Sequence, residues 1–379
     1  MAFAIAEFAS VRQERQLPYG PLGHLRPLDG LRGIAVMAVF LVHLYSPVFG
    51  GGGWGVDLFF VISGFLITKL LYEEYDRSQR VDLRGFYLRR LFRLQPAMLV
   101  LLAVVVIASF GAFSAVGGVV RRQALYTVLL SGNLFAIGEG SVARPVLGHT
   151  WSLGLEEQFY LVWPFLLVAI PAVAYGRPAQ FLRGLAFVTI GMILFARVVV
   201  IGILDYPHWQ SIPFFNMEGL LFGCMLAVYL HTSNGLAPRV RTWVVALCVA
   251  VVVFDLFVGG RYIPLDDYGI RPVVLRLIFT YIVFVAATAR DWQPVRLLDN
   301  GILRWLGAIS YSLYLWHIPV FEYFDDKRFP DVNNVLLLGT KVVMAFVAAC
   351  ASFYLIEKPA IRLYRRRSAD QRTRQTVPA

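Results

Sequence analysis

The chain reads as a succession of long apolar runs divided by short polar or Gly/Pro-rich segments. Ten runs, at about 32–49, 54–74, 95–114, 152–171, 181–204, 212–231, 242–258, 271–288, 303–323 and 335–356, suffice to cross a bilayer core as α-helices. Helices satisfy their backbone groups within one segment, whereas a membrane barrel would show short alternating strands. Segment 122–137, which contains LYTVLLSGNLFAI, is apolar but short and is broken by Ser131-Gly132-Asn133. It is expected to be re-entrant or to lie at the surface. The pattern predicts an all-α, polytopic membrane protein of about ten transmembrane helices.

Composition supports this. Of the 379 residues, 58% are hydrophobic and 16% charged, which is more apolar surface than one soluble core could cover. Assigning loops alternately to the two sides puts about three times as many Lys and Arg on the side that holds both termini, so both termini are expected to be cytoplasmic. The net charge of +11 reflects that asymmetry, and the basic tail from Arg362 to Arg374 needs no nucleic-acid partner to explain it. Residues 1–27 lack a sustained apolar core and carry Arg12, Arg15 and Arg26, as in a retained cytoplasmic tail. The expected organisation is this tail, a membrane domain over 28–364 and a basic tail over 365–379. Cys224, Cys248 and Cys350 fall inside predicted spans with no metal-site spacing, and no disulfide framework is expected. The longest external segment, about 115–150, is too short for an independent catalytic module. Chemistry is therefore expected from the spans and their loops.

Ionisable residues inside spans are costly and mark functional sites or buried pairs. In LDGLRGIAVMAVFLVH, Arg32 and His43 are eleven residues apart, so they share a helix face about 16 Å apart along the axis. With the N-terminus inside, Arg32 lies near the cytoplasmic interface and His43 in the outer half, while Asp29 precedes the span and caps it. Span two starts from a glycine-rich turn with Asp57 at the depth where His43 ends. Asp57 is expected either to cap that helix or to orient the His43 ring, as a carboxylate does in hydrolytic triads. In RGFYLRRLFRLQPAML, Arg90 and Arg93 share a face beside Arg89, suited to phosphate recognition or to lipid anchoring. Span four opens HTWSLGLEEQFYLVWP, where His149, Ser152 and Glu156 share a face beside Glu157 and Tyr160. A structural partner for these glutamates is Arg197, for which Glu218 also competes. In ISYSLYLWH, Ser310, Tyr314 and His317 form one stripe, with His317 either an interfacial belt residue or a pocket residue.

GLRGIAVMAVFLVH, GVDLFFVISGFLI, YLRRLFRLQPA, HTWSLGLEEQFYLVWP, ISYSLYLWH and IEKPAIRL, in this order, resemble the acyltransferase family 3 of integral membrane O-acyltransferases. The likeness extends from about Leu28 to Tyr364. It implies transfer of an acyl group, usually acetyl, from cytoplasmic acyl-coenzyme A to a hydroxyl of a glycan, glycolipid or other acceptor, in a bacterial cytoplasmic membrane. By position, His43 matches the family's span-one histidine, Arg32 its arginine, and Arg90 with Arg93 its RxxR motif. The chain resembles stand-alone members that lack the extracytoplasmic SGNH domain of many relatives. On this reading Arg32, Arg89, Arg90 and Arg93 hold the donor, and His43 is the general base or the acyl carrier. Asp57 orients it, while His149, Glu156, Tyr314 and His317 line the acceptor pocket; no metal is implied. The rival class is a transporter using the same charges for coupling, but spans six to ten do not repeat the motifs of spans one to five.

Overall fold

A computed structural model describes residues 25–139, 146–201, 203, 213–233, 239–259 and 269–366. Among these every regular element is helical. The helices are α1 (Arg26–Leu44), α2 (Trp54–Ser78), α3 (Leu83–Ala108), α4 (Gly117–Val128), α5 (Gly132–Glu139), α6 (Trp151–Ala169), α7 (Pro171–Ala174) and α8 (Pro178–Phe195). They continue with α9 (Pro213–Thr232), α10 (Thr242–Val258), α11 (Ile270–Thr288), α12 (Gln293–Leu298), α13 (Gly301–Tyr323) and α14 (Asn334–Ser352). Each apolar run read as a span coincides with one of them. Six described helices are long and apolar enough to cross a membrane by length and composition, and α10 is a shorter apolar helix. Phe187, Val335 and Leu355 point outward, as side chains facing lipid do.

Two differences from the sequence pattern have local causes. Helix α3 begins a dozen residues before the predicted span because the Asp82 carboxylate caps it, accepting from the Gly85 amide at 2.9 Å. The helix then runs through Pro96, so Arg89, Arg90 and Arg93 lie on its first three turns rather than in a loop. Segment 122–137 is split between α4 and α5 at Leu130, whose φ of 56° reverses the chain. Most of the N-terminal tail, the far end of the basic tail, the Arg197 side chain and the start of the aromatic loop DYPHWQSIPFF lie outside the described residues.

The site is positioned by two close helix pairs, α1 with α13 and α2 with α9. A Cβ on Gly307 of α13 would come within 2.0 Å of the Asp29 carbonyl, and one on Gly33 of α1 within 2.4 Å of the Leu303 carbonyl. Small residues let these backbones touch, as in membrane helix pairs generally. That contact holds Arg32 and His43 of α1 against Ser310 and His317 of α13. Gly64 and Gly223 do the same for α2 and α9.

Candidate active site

A cavity of about 150 Å³ opens between α1, α2, α3, α6 and α13. Arg32, Arg90 and Arg93 line it together with Ser63, Glu156 and Tyr314. Arg90 lays its guanidinium 3.3 Å from the centre of the Tyr160 ring, and Arg32 donates to Ser310 Oγ at 3.3 Å. Arg93 is exposed although it lines the cavity, and it is close enough to Arg32 and Arg90 to be repelled by both, with Glu357 as an opposing charge. Among the described residues no salt bridge engages Arg32, Arg90 or Arg93. Three guanidinium groups gathered on one wall, none in a described salt bridge, suit an anion.

The opposite wall is carboxylate and hydroxyl. Ser63 of α2 and Tyr160 of α6 both donate to Glu156. Glu157 also lines the cavity, and Tyr311 crosses it to donate to the Leu94 carbonyl of α3 at 2.9 Å. At one end, the Tyr314 hydroxyl donates to the His149 carbonyl at 2.9 Å and meets Ser152 Oγ at 2.6 Å. Behind this layer three imidazoles gather. The His43 ring is 5.1 Å from that of His317, which is 5.2 Å from that of His149. His43 Nδ1 lies 2.8 Å from the Val39 carbonyl of its own helix. A carbonyl only accepts, so Nδ1 carries the proton and Nε2 keeps its lone pair, the form required of a base or nucleophile.

Several sequence expectations change here. Asp57 does not orient His43: its carboxylate is taken by Arg276 of α11, 219 residues along the chain, at 2.7 Å. The same guanidinium binds Glu218 at 3.0 Å and Asn216 at 2.9 Å, so Glu218 is engaged by Arg276. The element that fixes the His43 ring is instead the Val39 carbonyl. Arg89, a turn-neighbour of Arg90 on a different face, leaves the cavity and approaches Glu74 at 3.7 Å. His149 and His317 do not line the cavity but are buried behind Tyr314, whereas Glu156 and Tyr314 share the cavity with the arginines. A separate acceptor pocket made of those four residues is therefore not what the fold builds. Sequence reasoning gave no role to Ser63, Tyr311 or Glu357. Glu357 is set inward by a π-turn, Phe353–Glu357, where Ser312 donates to it at 3.1 Å. Ser63, inside the otherwise apolar VISGFLI, was one detectable signal; Tyr311 and Glu357 lie in the motifs ISYSLYLWH and IEKPAIRL, which gave them no individual role.

The acyltransferase family 3 model, an acyltransferase domain, matches residues 26–357. The chain belongs to acyltransferase family 3. The match contains every cavity and histidine residue named above and ends on Glu357. The chain is 33% identical over 355 residues to the peptidoglycan O-acetyltransferase OatA of Listeria monocytogenes, covering 88% of this chain and 55% of that protein. It is 30% identical to the putative peptidoglycan O-acetyltransferase YrhL of Bacillus subtilis (88% of this chain, 54% of that protein). It is also 30% identical to the O-acetyltransferase OatA of Staphylococcus aureus (89% and 57%). The chain thus spans a little over half the length of these relatives. No solved structure matches it.

Proposed function

We propose that this family 3 protein is a membrane O-acetyltransferase that moves an acetyl group from cytoplasmic acetyl-coenzyme A to a hydroxyl of an extracytoplasmic cell-envelope glycan. The observation that carries the reading is the group of Arg32, Arg90 and Arg93 around one cavity without salt-bridge partners. Coenzyme A has a phosphate-rich head on a thin arm that ends in the thioester. Guanidinium groups hold the phosphates by charge-assisted bonds, and the cavity takes the arm, which passes Ser63 and Glu156 to Tyr314, behind which His317 and then His43 lie. His43 Nε2 then removes the acceptor proton as the hydroxyl attacks the thioester carbonyl. In this topology both termini are cytoplasmic, the RxxR face lies on the donor side and His43 in the outer half, as the distribution of Lys and Arg supports. The relatives named for peptidoglycan O-acetylation make a peptidoglycan-type hydroxyl the first acceptor to test. Membership of an acyltransferase family does not favour the transporter alternative.

The test uses the full chain purified into lipid nanodiscs, radiolabelled acetyl-coenzyme A and envelope glycan fractions. Acetyl esters on the glycan support the reading, and solute flux in liposomes with no acylated product overturns it. Arg90→Ala with Arg93→Ala removes two charge-assisted contacts and weakens donor affinity about 100-fold, given the usual worth of hydrogen bonds to charged groups. Donor affinity equal to the parent's would assign that pair to lipid anchoring instead.

A further inference from the structure

His317 and His149 are buried, and each leaves one ring nitrogen without a partner. His317 Nδ1 lies 2.7 Å from the Tyr314 carbonyl, and His149 Nε2 lies 3.1 Å from the Leu315 carbonyl. By the reasoning applied to His43, those nitrogens carry the protons. His317 Nε2 and His149 Nδ1 are then bare lone pairs, and both are buried with no hydrogen-bond partner. Buried acceptors left unpaired cost stability, so a group of them points to something that arrives during function. Three imidazoles also suggest a metal, but no described group of His, Cys, Asp and Glu has the arrangement to hold one.

We infer that His317, backed by His149, is the positioning residue that receives a share of the proton His43 takes from the acceptor, and this rests on the acyl-transfer reading above. In the resting state all three rings are neutral and present lone pairs, so none donates to another. When the acceptor O–H bond breaks, an N–H bond forms on His43 Nε2, and this is the donor the bare His317 Nε2 lacks. The acceptor oxygen bonds the acyl carbon and the carbon–sulfur bond breaks. The proton shared by the two rings finally passes to the departing thiolate, which leaves as the free thiol. An interaction absent in the ground state and made as charge develops lowers the barrier without tightening substrate binding. Among the described residues the titratable groups that act on the trio are the rings themselves, with Tyr314 of α13 packed 5.4 Å from His149 and 5.5 Å from His317. No described carboxylate or guanidinium competes for the proton.

The experiment compares pH–rate profiles of acetyl transfer for the full chain and for His317→Phe, which keeps a flat ring and removes both nitrogens. The expected result is a loss of about 10- to 100-fold in kcat with the KM for acetyl-coenzyme A unchanged, smaller than the roughly 10²- to 10⁴-fold that the general base itself contributes. Its acid limb moves to lower pH, because His43 without its neighbour is the weaker base. His317→Gln keeps a polar atom without a titrating ring and covers the case in which the phenylalanine variant does not fold; its acid limb moves the same way. A folded variant of either kind with the parent's kcat and acid limb overturns the inference. Loss of rate with an unmoved limb also overturns it, because that is what a purely structural role produces. Absence of transfer by the parent itself would instead sink the acyl-transfer reading, so the two failures are distinguishable.

Discussion

His43→Ala is expected to bring acetyl transfer to background, a fall of at least about 10²- to 10⁴-fold, while the protein remains inserted, folded and able to bind donor. The separation of these effects follows from where the ring sits. His43 is on the last turn of α1, more than a third exposed, and its one hydrogen bond runs to the Val39 carbonyl within its own helix. Alanine there is a good helix former, and losing one such bond costs about 1 kcal/mol. Arg32, Arg90 and Arg93 are untouched, so the titration of binding by acetyl-coenzyme A should match the parent's. The check is a pair of measurements on one preparation: donor affinity by calorimetry and labelled acetate on the glycan. A folded His43→Ala protein that transfers at the parental rate removes His43 from the mechanism.

How much of this was legible in the sequence depends on whether a relation is local or long-range. The eleven-residue spacing of Arg32 and His43 and the three-residue spacing of Arg90 and Arg93 are properties of one helix each. They can be read without the fold. Helical geometry separates Arg89 from Arg90 by about 100° but from Arg93 by only about 40°, so its turn to Glu74 and away from the cavity follows from where Glu74 stands and not from spacing alone. Depth along a span is an expectation from the charge pattern, and depth alone does not say which neighbour stands opposite. Asp57 and His43 were expected at matching depths, yet Gly55, two residues before Asp57, packs on Ala35 and Val39 of α1, and the guanidinium that claims Asp57 arrives from α11. His149, Tyr314 and His317 were each visible as polar residues in apolar runs, while their convergence on His43 needs the α1–α13 glycine contact. Glu357 was hidden because a regular helix would not direct it inward; the π-turn changes its angle.

Arg276→Met is expected to produce the largest loss of stability of any single substitution considered, about 3–5 kcal/mol, the usual result of removing one member of a buried charge group. Asp57, Asn216 and Glu218 converge on this one guanidinium, and Glu218 is fully buried. Methionine fills the volume but leaves two carboxylates facing each other without their shared cation. The group joins α2, α9 and α11, so its failure loosens the frame behind the cavity rather than the chemistry within it. Asp57→Asn gives the contrast. It keeps a hydrogen-bond acceptor for Arg276 and lowers the net negative charge around it, so it is expected to remain folded and to retain acetyl transfer. A carboxylate that oriented His43 would show the same unfolding but a collapse in rate. Thermal unfolding in nanodiscs, run beside the transfer assay on both variants, separates the two roles. If Asp57→Asn unfolds like the parent but transfers nothing, Asp57 returns to the catalytic group, and the ion pair with Arg276 loses its standing as the reason the residue is there.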